Sequence, residues 1–527
     1  MDEKGILEAN SQYLVTNDAH TATTQYPNTS HDRTSLRWQA EDYDIESAAA
    51  TADDQKQSSQ QEKAANIIDW EGPDDPEMAV NWPAKKKWAT VILLSTLTLL
   101  TPFASSMFAP SISMVMEDFH SRNVDLASFV VSVYLLGYAF GPLIIAPLSE
   151  LYGRLPLYHT TTILFIVFNL ACARSVNLSM LIAFRFLAGL AGSCPLTVGP
   201  GSIADCFKQE ERGKVMAVWT LPVLLGPTIG PIAGGYLSES LGWRWDFWFL
   251  IIVTSAVFIL SLILQRETYP PTILQRRVHR LRKSTGNQAL QSALQSADPP
   301  KQLFLASVER PTKMLLFSPI VLGLSICTAI NYGFLYLLFT TMTVVFEDQY
   351  GINASNVGLT YLGIGVGQFI GLIAFGAVSD LLLKHMAKGG EMKPEYRLSP
   401  LLVGASLVPI GLLWYGWTAE YKAHWIVPII GTVFVGIGMI TIFMPVTTYL
   451  VDAFTAYAAS ATAANTVFRS LGGAFLPLCG SRMYDALGLG WGNSLLAFIG
   501  IALIPVIWIF LRYGERIRTH PRFQLNL

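Results

Sequence analysis

The sequence predicts an all-α membrane protein with twelve transmembrane helices in two pseudo-symmetric six-helix bundles, and three observations carry that expectation. Charged residues make up only 14% of the 527-residue chain and mean hydropathy is +0.39, whereas a soluble protein carries roughly a quarter charged residues. Apolar stretches of about 20 residues, enough to cross roughly 30 Å of hydrocarbon, recur twelve times. Lys and Arg gather in alternate loops, the pattern of a chain that crosses a bilayer repeatedly.

In chain order the expected spans cover 88–110, 127–147, 157–174, 178–204, 214–238, 246–264, 315–345, 357–380, 399–418, 424–451, 458–484 and 491–511. Residues 1–84 are rich in Ser, Thr, Gln and acid and hold too little apolar area to fold alone, so a disordered cytoplasmic N-terminal tail is expected. Residues 85–264 form the expected N-terminal bundle, 265–314 a solvated cytoplasmic linker, 315–512 the C-terminal bundle and 513–527 a cytoplasmic C-terminal tail. With both ends inside, the inner loops receive Lys85, Lys86, Lys87, Arg154, Lys208, Arg212 and Lys214, the basic 265–314 segment, Lys384, Lys388, Lys393, Arg397 and the tail arginines. The outer loops hold only Arg122, Arg174, Arg244, Lys422 and Arg482, so both termini are expected in the cytoplasm.

Several functions lack their chemistry. The five cysteines show none of the short Cys/His spacings of a disulfide framework or zinc site, and neither metal nor cofactor is expected. There is no phosphate-cradling Gly-x-x-x-x-Gly-Lys-Ser/Thr loop, no His-Glu-x-x-His and no Gly-x-Ser-x-Gly elbow, which speaks against an ATP-driven pump and against an enzyme. No basic face with stacking aromatics predicts nucleic-acid binding. The first 84 residues contain no cleavable signal, so the first span is its own insertion signal.

A weak internal repeat supports the two halves. Gly137, Gly141, Ser149, Glu150 and Arg154 recur 230 residues later as Gly367, Gly371, Ser379, Asp380 and Lys384, and Asp205-Cys206-Phe207 is echoed by Asp452-Ala453-Phe454. Parallel six-span repeats are the sequence mark of alternating-access transporters.

Three motifs occur in order: Gly141-Pro142 through Ser149-Glu150-Leu151-Tyr152-Gly153-Arg154, Arg185-Phe186-Leu187-Ala188-Gly189, and Gly226-Pro227-Thr228-Ile229-Gly230-Pro231-Ile232-Ala233-Gly234-Gly235. Together with Asp69-Trp70-Glu71-Gly72-Pro73, Trp243-Arg244-Trp245 and Asn465 with Arg469, they resemble the major facilitator superfamily, and within it the fungal twelve-span drug:proton antiporter branch. Glu150 and Leu151 depart from the usual acid and base of the first motif. The resemblance implies secondary export of small, mostly apolar molecules, such as drugs, toxins or secondary metabolites, by proton antiport and alternating access. It makes Gly226, Pro227, Gly230, Pro231, Gly234 and Gly235 the antiporter motif and brings Arg185 into the proton or substrate machinery. Small residues there also let two helices approach closely and bend.

The expected substrate-binding residues are Tyr134, Tyr138, Arg185, Asn331, Tyr332, Tyr336, Gln368, Phe443, Tyr449 and Asn465, since aromatics and amides suit an apolar or weakly cationic molecule. The expected gating or coupling residues are Glu150, Arg154, Arg185, Asp205, Asp380, Lys384, Asp452 and Arg469, with Arg154 paired to Asp205 and Lys384 to Asp452. Arg185 and Arg469 fall inside spans, Arg469 about 12 residues or roughly 18 Å deep, and such costly cations face a partner or a wet cavity. No Asp, Glu or His occupies the middle of a span, which leaves the membrane-edge carboxylates Glu150, Asp205, Asp246, Asp380 and Asp452 as candidate proton carriers. The expected partners are the lipid bilayer, a small-molecule substrate and protons, the expected assembly a monomer and the expected location the plasma membrane. An importer or facilitator of a small polar metabolite, and a non-transporting sensor on the same fold, are the alternatives.

Overall fold

A computed structural model describes residues 66–121, 123–294, 300–387, 393–454 and 458–520. The chain divides into two units, Met1–Ile67 and Ile68–Leu527; only Asn66 and Ile67 of the first are described, so the expectation for residues 1–65 lies outside the described residues. In the second unit the N-terminal half comprises α1 (Ala84–Ser106), the short α2 (Ile112–Asp118), α3 (Val124–Tyr152), α4 (Arg154–Ala173), α5 (Leu178–Gly192), α6 (Cys194–Cys206), α7 (Gln209–Leu241) and α8 (Arg244–Leu264). Next come α9 (Pro270–Thr285) and α10 (Pro300–Phe317), followed by α11 (Pro319–Tyr350), α12 (Ala354–Thr360), α13 (Leu362–Ala387), α14 (Ser399–Glu420), α15 (Ile426–Ala453), α16 (Ala458–Phe475) and α17 (Gly480–Thr519).

Among the described residues eleven stretches are long and apolar enough to span a membrane, and the last, Ser460–Thr519, is 60 residues long. At 1.5 Å per residue that is far more than one crossing needs. Gly488, with φ 74°, breaks it inside α17, and counting its two arms separately restores twelve crossings. The fourth crossing is likewise two helices, α5 and α6, separated at Ser193 with Pro195 in the first turn of the second.

The repeat glycines explain how the halves resemble each other. A methyl group at Gly137 would overlap the α5 backbone at Phe186–Leu190, and one at Gly367 the α15 backbone at Val433–Gly436. In both halves the second span therefore crosses the fourth at backbone contact, which only a residue without Cβ permits. The C-terminal half packs around one continuous buried apolar cluster, whereas the N-terminal half is divided among three.

Two expectations are corrected. Residues 68–83 are not tail: Asp75, Ala79 and Trp82 are buried, and the Asn81 side chain donates to the carbonyls of Pro73 and Asp75. The linker is not a plain solvated chain, because α9 lies within it and Arg277 pairs with Asp75 at 2.7 Å and with Glu71, while Arg280 pairs with Glu77 at 2.8 Å. The acids that suggested disorder in the first segment and the bases that suggested solvation in the second neutralise one another. Burial opposes ionisation of Asp75, but the Glu71 and Glu77 amides and the Arg277 guanidinium outweigh it and hold the carboxyl below its ordinary range.

Candidate transport cavity

Both halves line one central cavity of about 780 Å³, a volume that includes space open to solvent. From the N-terminal half come Pro102 and Ser105 of α1, Leu135 and Tyr138 of α3, Leu196 of α6, and Val223 and Pro227 of α7. Opposite stand Thr328, Asn331, Tyr332, Leu335 and Tyr336 of α11, Gln368 of α13, Met439, Ile440, Ile442 and Phe443 of α15, and Arg469 of α16. Helical spacing accounts for the α11 wall, since residues three and four apart share a face. The Tyr332 and Tyr336 rings lie 5.0 Å apart, and the Tyr336 hydroxyl meets Ser105 Oγ at 2.9 Å across the halves.

Of the expected binding residues, Tyr138, Asn331, Tyr332, Tyr336, Gln368 and Phe443 line this cavity, and so does Arg469. The other four are not among the lining residues. Tyr134 is buried behind the wall and donates to the Thr101 carbonyl at 3.0 Å; Asn465 stands one layer back, where its Oδ1 accepts from Thr328 Oγ1 at 2.6 Å. Tyr449 is fully buried elsewhere, beside Glu395 and Arg518. Arg185 is 1% exposed: its Nε donates to the Val130 carbonyl at 2.7 Å, its Nη2 to those of Ser105 and Val131, and the Phe108, Tyr134 and Phe247 rings surround it. Three carbonyl acceptors stand in for the solvent a buried guanidinium loses, and they tie α5 to α1 and α3.

Arg469 has a different environment. Its guanidinium lies 4.8 Å from the Tyr332 ring centroid and 4.7 Å from that of Phe443, and its Nε is enclosed with no hydrogen-bond partner among the described residues. Tyr138 Oη and Gln368 Oε1 are likewise enclosed and unpartnered.

On the face where α1 ends and α2 lies, the halves are joined. Ser113 Oγ donates to Glu347 at 3.2 Å and Arg482 pairs with Asp125. Just below, Asp246 in the first turn of α8 is 1% exposed; it accepts from Ser111 Oγ at 2.5 Å, and its other oxygen has no partner among the described residues. The antiporter-motif helix α7 forms the seam. Methyl groups at Gly230 or Gly234 would overlap the end of α1 and Met107 just after it, and one at Gly226 would press tightly on Leu99 and Phe103, while Pro231 and Ile232 meet Gly358 of α12 in the opposite half.

On the face where α1 begins, the pairs among the described residues stay within one half. Arg154 Nε meets Asp205 at 2.7 Å, and Asp452 accepts from Arg397 Nε at 3.0 Å. The side chains of Asp380 and Lys384 lie outside the described residues. Glu150 is exposed, in the field of Arg154 and Arg310.

The arrangement is two packed helical halves around a shared cavity, and comparison with known proteins agrees with it. Residues 94–477 match the Major Facilitator Superfamily profile. The chain belongs to that superfamily. It is 57% identical over 465 residues to the MFS-type transporter penM of Penicillium rubens, covering 88% of this chain and 92% of that one. It is 48% identical to the efflux pump radE of Floropilus chiversii, covering 95% and 93%. In shape it resembles the xylose transporter XylE of E. coli in a partially occluded inward-open conformation, with a TM-score of 0.61 at 16% identity over 81% of this chain and 98% of that chain. A chain of this superfamily is an integral membrane protein that handles small molecules.

Sequence reasoning about this superfamily member missed Glu267. Its carboxylate accepts from the backbone amides of Arg154 and Leu155 at 3.0 and 3.2 Å, capping α4 where the chain turns at Gly153, φ 92°. It also accepts from the amides of Thr268 and Tyr269. A lone acid directly after the sixth span, on the basic face, was the available signal. Ser105 and Thr328 had none, since hydroxyls are common in spans and usually bond their own helix.

Proposed function

We propose that the protein exports small, largely apolar aromatic molecules from the cell by alternating access through the central cavity, driven by proton antiport, as a monomer in the plasma membrane with both chain ends cytoplasmic. The observation that carries this reading is a cavity walled by both halves while the Ser113–Glu347 and Asp125–Arg482 contacts hold them together on the face where α1 ends. These contacts support a substrate chamber that faces the side where α1 begins. The density of Lys and Arg on that side supports its being the cytoplasm. Export is favoured by the Gly/Pro seam of α7 and by the name of the radE relative.

Asp246 is the proposed proton carrier. It is a carboxylate of the N-terminal bundle, on the face where α1 ends, that is fully enclosed here, held by Ser111 through one oxygen and with the other unpartnered among the described residues, so a change of state that loosens the Ser111 contact would let it exchange a proton. The test is retention of a neutral fluorescent aromatic in yeast cells stripped of their own pumps. Expression should lower retention, collapse of the proton gradient should restore it, and Asp246→Asn should behave like gradient collapse. Raised retention on expression would overturn the direction, and gradient-independent efflux would overturn antiport.

A further inference from the structure

We propose that the cavity selects organic anions, with Arg469 as the docking cation for a carboxylate or acidic enol carried on an aromatic body. The inference rests on the reading of this cavity as the transport site and adds the charge of what it carries. Arg469 brings the one formal charge among the described lining residues, and no lining residue is acidic. It forms no ion pair with any described residue, its Nε is enclosed without a partner, and its charge rests on the Tyr332 and Phe443 rings.

Two aromatic faces stabilise a guanidinium, but they leave its in-plane N–H donors unmade, and those donors match the two oxygens of a carboxylate. Arg185 shows how this fold satisfies an arginine for good, with backbone carbonyls. At Arg469 that acceptor set is missing, so the acceptor is supplied by the cargo. Tyr138 Oη and Gln368 Oε1 add one donor and one acceptor for polar substituents, and Leu135, Leu335 and Met439 offer apolar area. A cationic molecule, the class that the aromatic lining alone suggests, would place two like charges in a low-dielectric chamber with no acid to offset them.

Three matched coumarins test this on the full-length purified protein: 7-methoxycoumarin-3-carboxylate, its ethyl ester and an aminomethyl analogue, titrated at neutral pH by tryptophan quenching. The wild type should bind the carboxylate about tenfold or more tighter than either other probe. Arg469→Gln should bring the carboxylate-to-ester ratio to about one, and Arg469→Lys should leave an intermediate ratio, since charge remains but the fork is lost. Melting temperatures of both variants establish that they are folded. Equal or tighter binding of the ester or the ammonium probe by the wild type, a ratio that survives in Arg469→Gln, or no carboxylate binding at all would each overturn the inference. Leu335→Trp, which fills the chamber, separates the two readings. If it abolishes binding of all probes while the wild-type ratio is one, only the charge inference falls; if binding is indifferent to it, the cavity reading falls.

Discussion

Two arginines inside the membrane, one in each half, have opposite fates. Arg185 is sealed among three carbonyl acceptors and three rings, whereas Arg469 looks into a chamber with rings beside it and an enclosed Nε that finds no partner. The lesson is that cost alone does not mark an intramembrane cation as functional. A charge satisfied by backbone holds helices together; a charge left unsatisfied by its own protein is available to something else.

The comparison breaks most readily at Arg185. Arg185→Ala should lose roughly 3–5 kcal/mol, the range for removing one partner of a buried charged contact, and membrane yield and melting temperature should fall sharply. Arg469→Gln should change stability by no more than about 1 kcal/mol, so its effect is read in transport. Normal melting and flux in Arg185→Ala would erase the distinction.

Packing in the N-terminal half provides the next test. Gly234→Leu should abolish flux while the protein still reaches the membrane, because even a Cβ at that site overlaps the Met107 carbonyl. Full flux would mean that α1 and α7 need not stay in backbone contact.

A smaller effect is expected at the face where α1 begins. Arg154→Asp or Asp205→Arg alone should cut transport about tenfold, and the double exchange should recover part of it, since the half-buried pair is direct. Such pairs act in gating if they favour one state of the cycle, and absence of any recovery would count against that role.

The smallest effect belongs to the hook of residues 69–83 on α9. Because folding lowers the Asp75 carboxyl below 3.8, its stabilising contribution is complete above that value and is lost as pH falls through the lowered one. Proteolysis of the 286–294 stretch should therefore rise only at acid pH in the wild type, and at neutral pH in Asp75→Asn. An acid-insensitive wild type would remove Asp75 from the clamp.

Much of the fold was legible because it rests on local physics. Hydropathy dictates the spans, loop cations their alternation, and Gly137 with Gly367 the repeated crossing of second and fourth spans, since a missing Cβ is written in the sequence itself. Six of the ten expected binding residues line the cavity, and helical spacing accounts for two of them, Tyr332 and Tyr336, which are four positions apart and share one face of α11. Direction around the helix axis was not legible, and it moved Tyr134 and Tyr449 off the cavity and Asn465 to the layer behind.

What only the tertiary structure decided is which charges meet. Hydropathy sees Asp246 as an edge residue, but the packing of α8 against Ser111 encloses it. Composition sees a basic linker and an acidic tail, whereas contact between segments about 200 residues apart makes them one clamp. The sequence assigns Asp452 to Lys384 by analogy with Arg154; the Lys384 side chain lies outside the described residues, and the fold brings Arg397 to Asp452, a partner that the analogy did not suggest. Burial and composition are properties of a residue and its near neighbours, so a sequence determines them; a partner for a charge is a property of two distant segments, and only the folded chain brings them together.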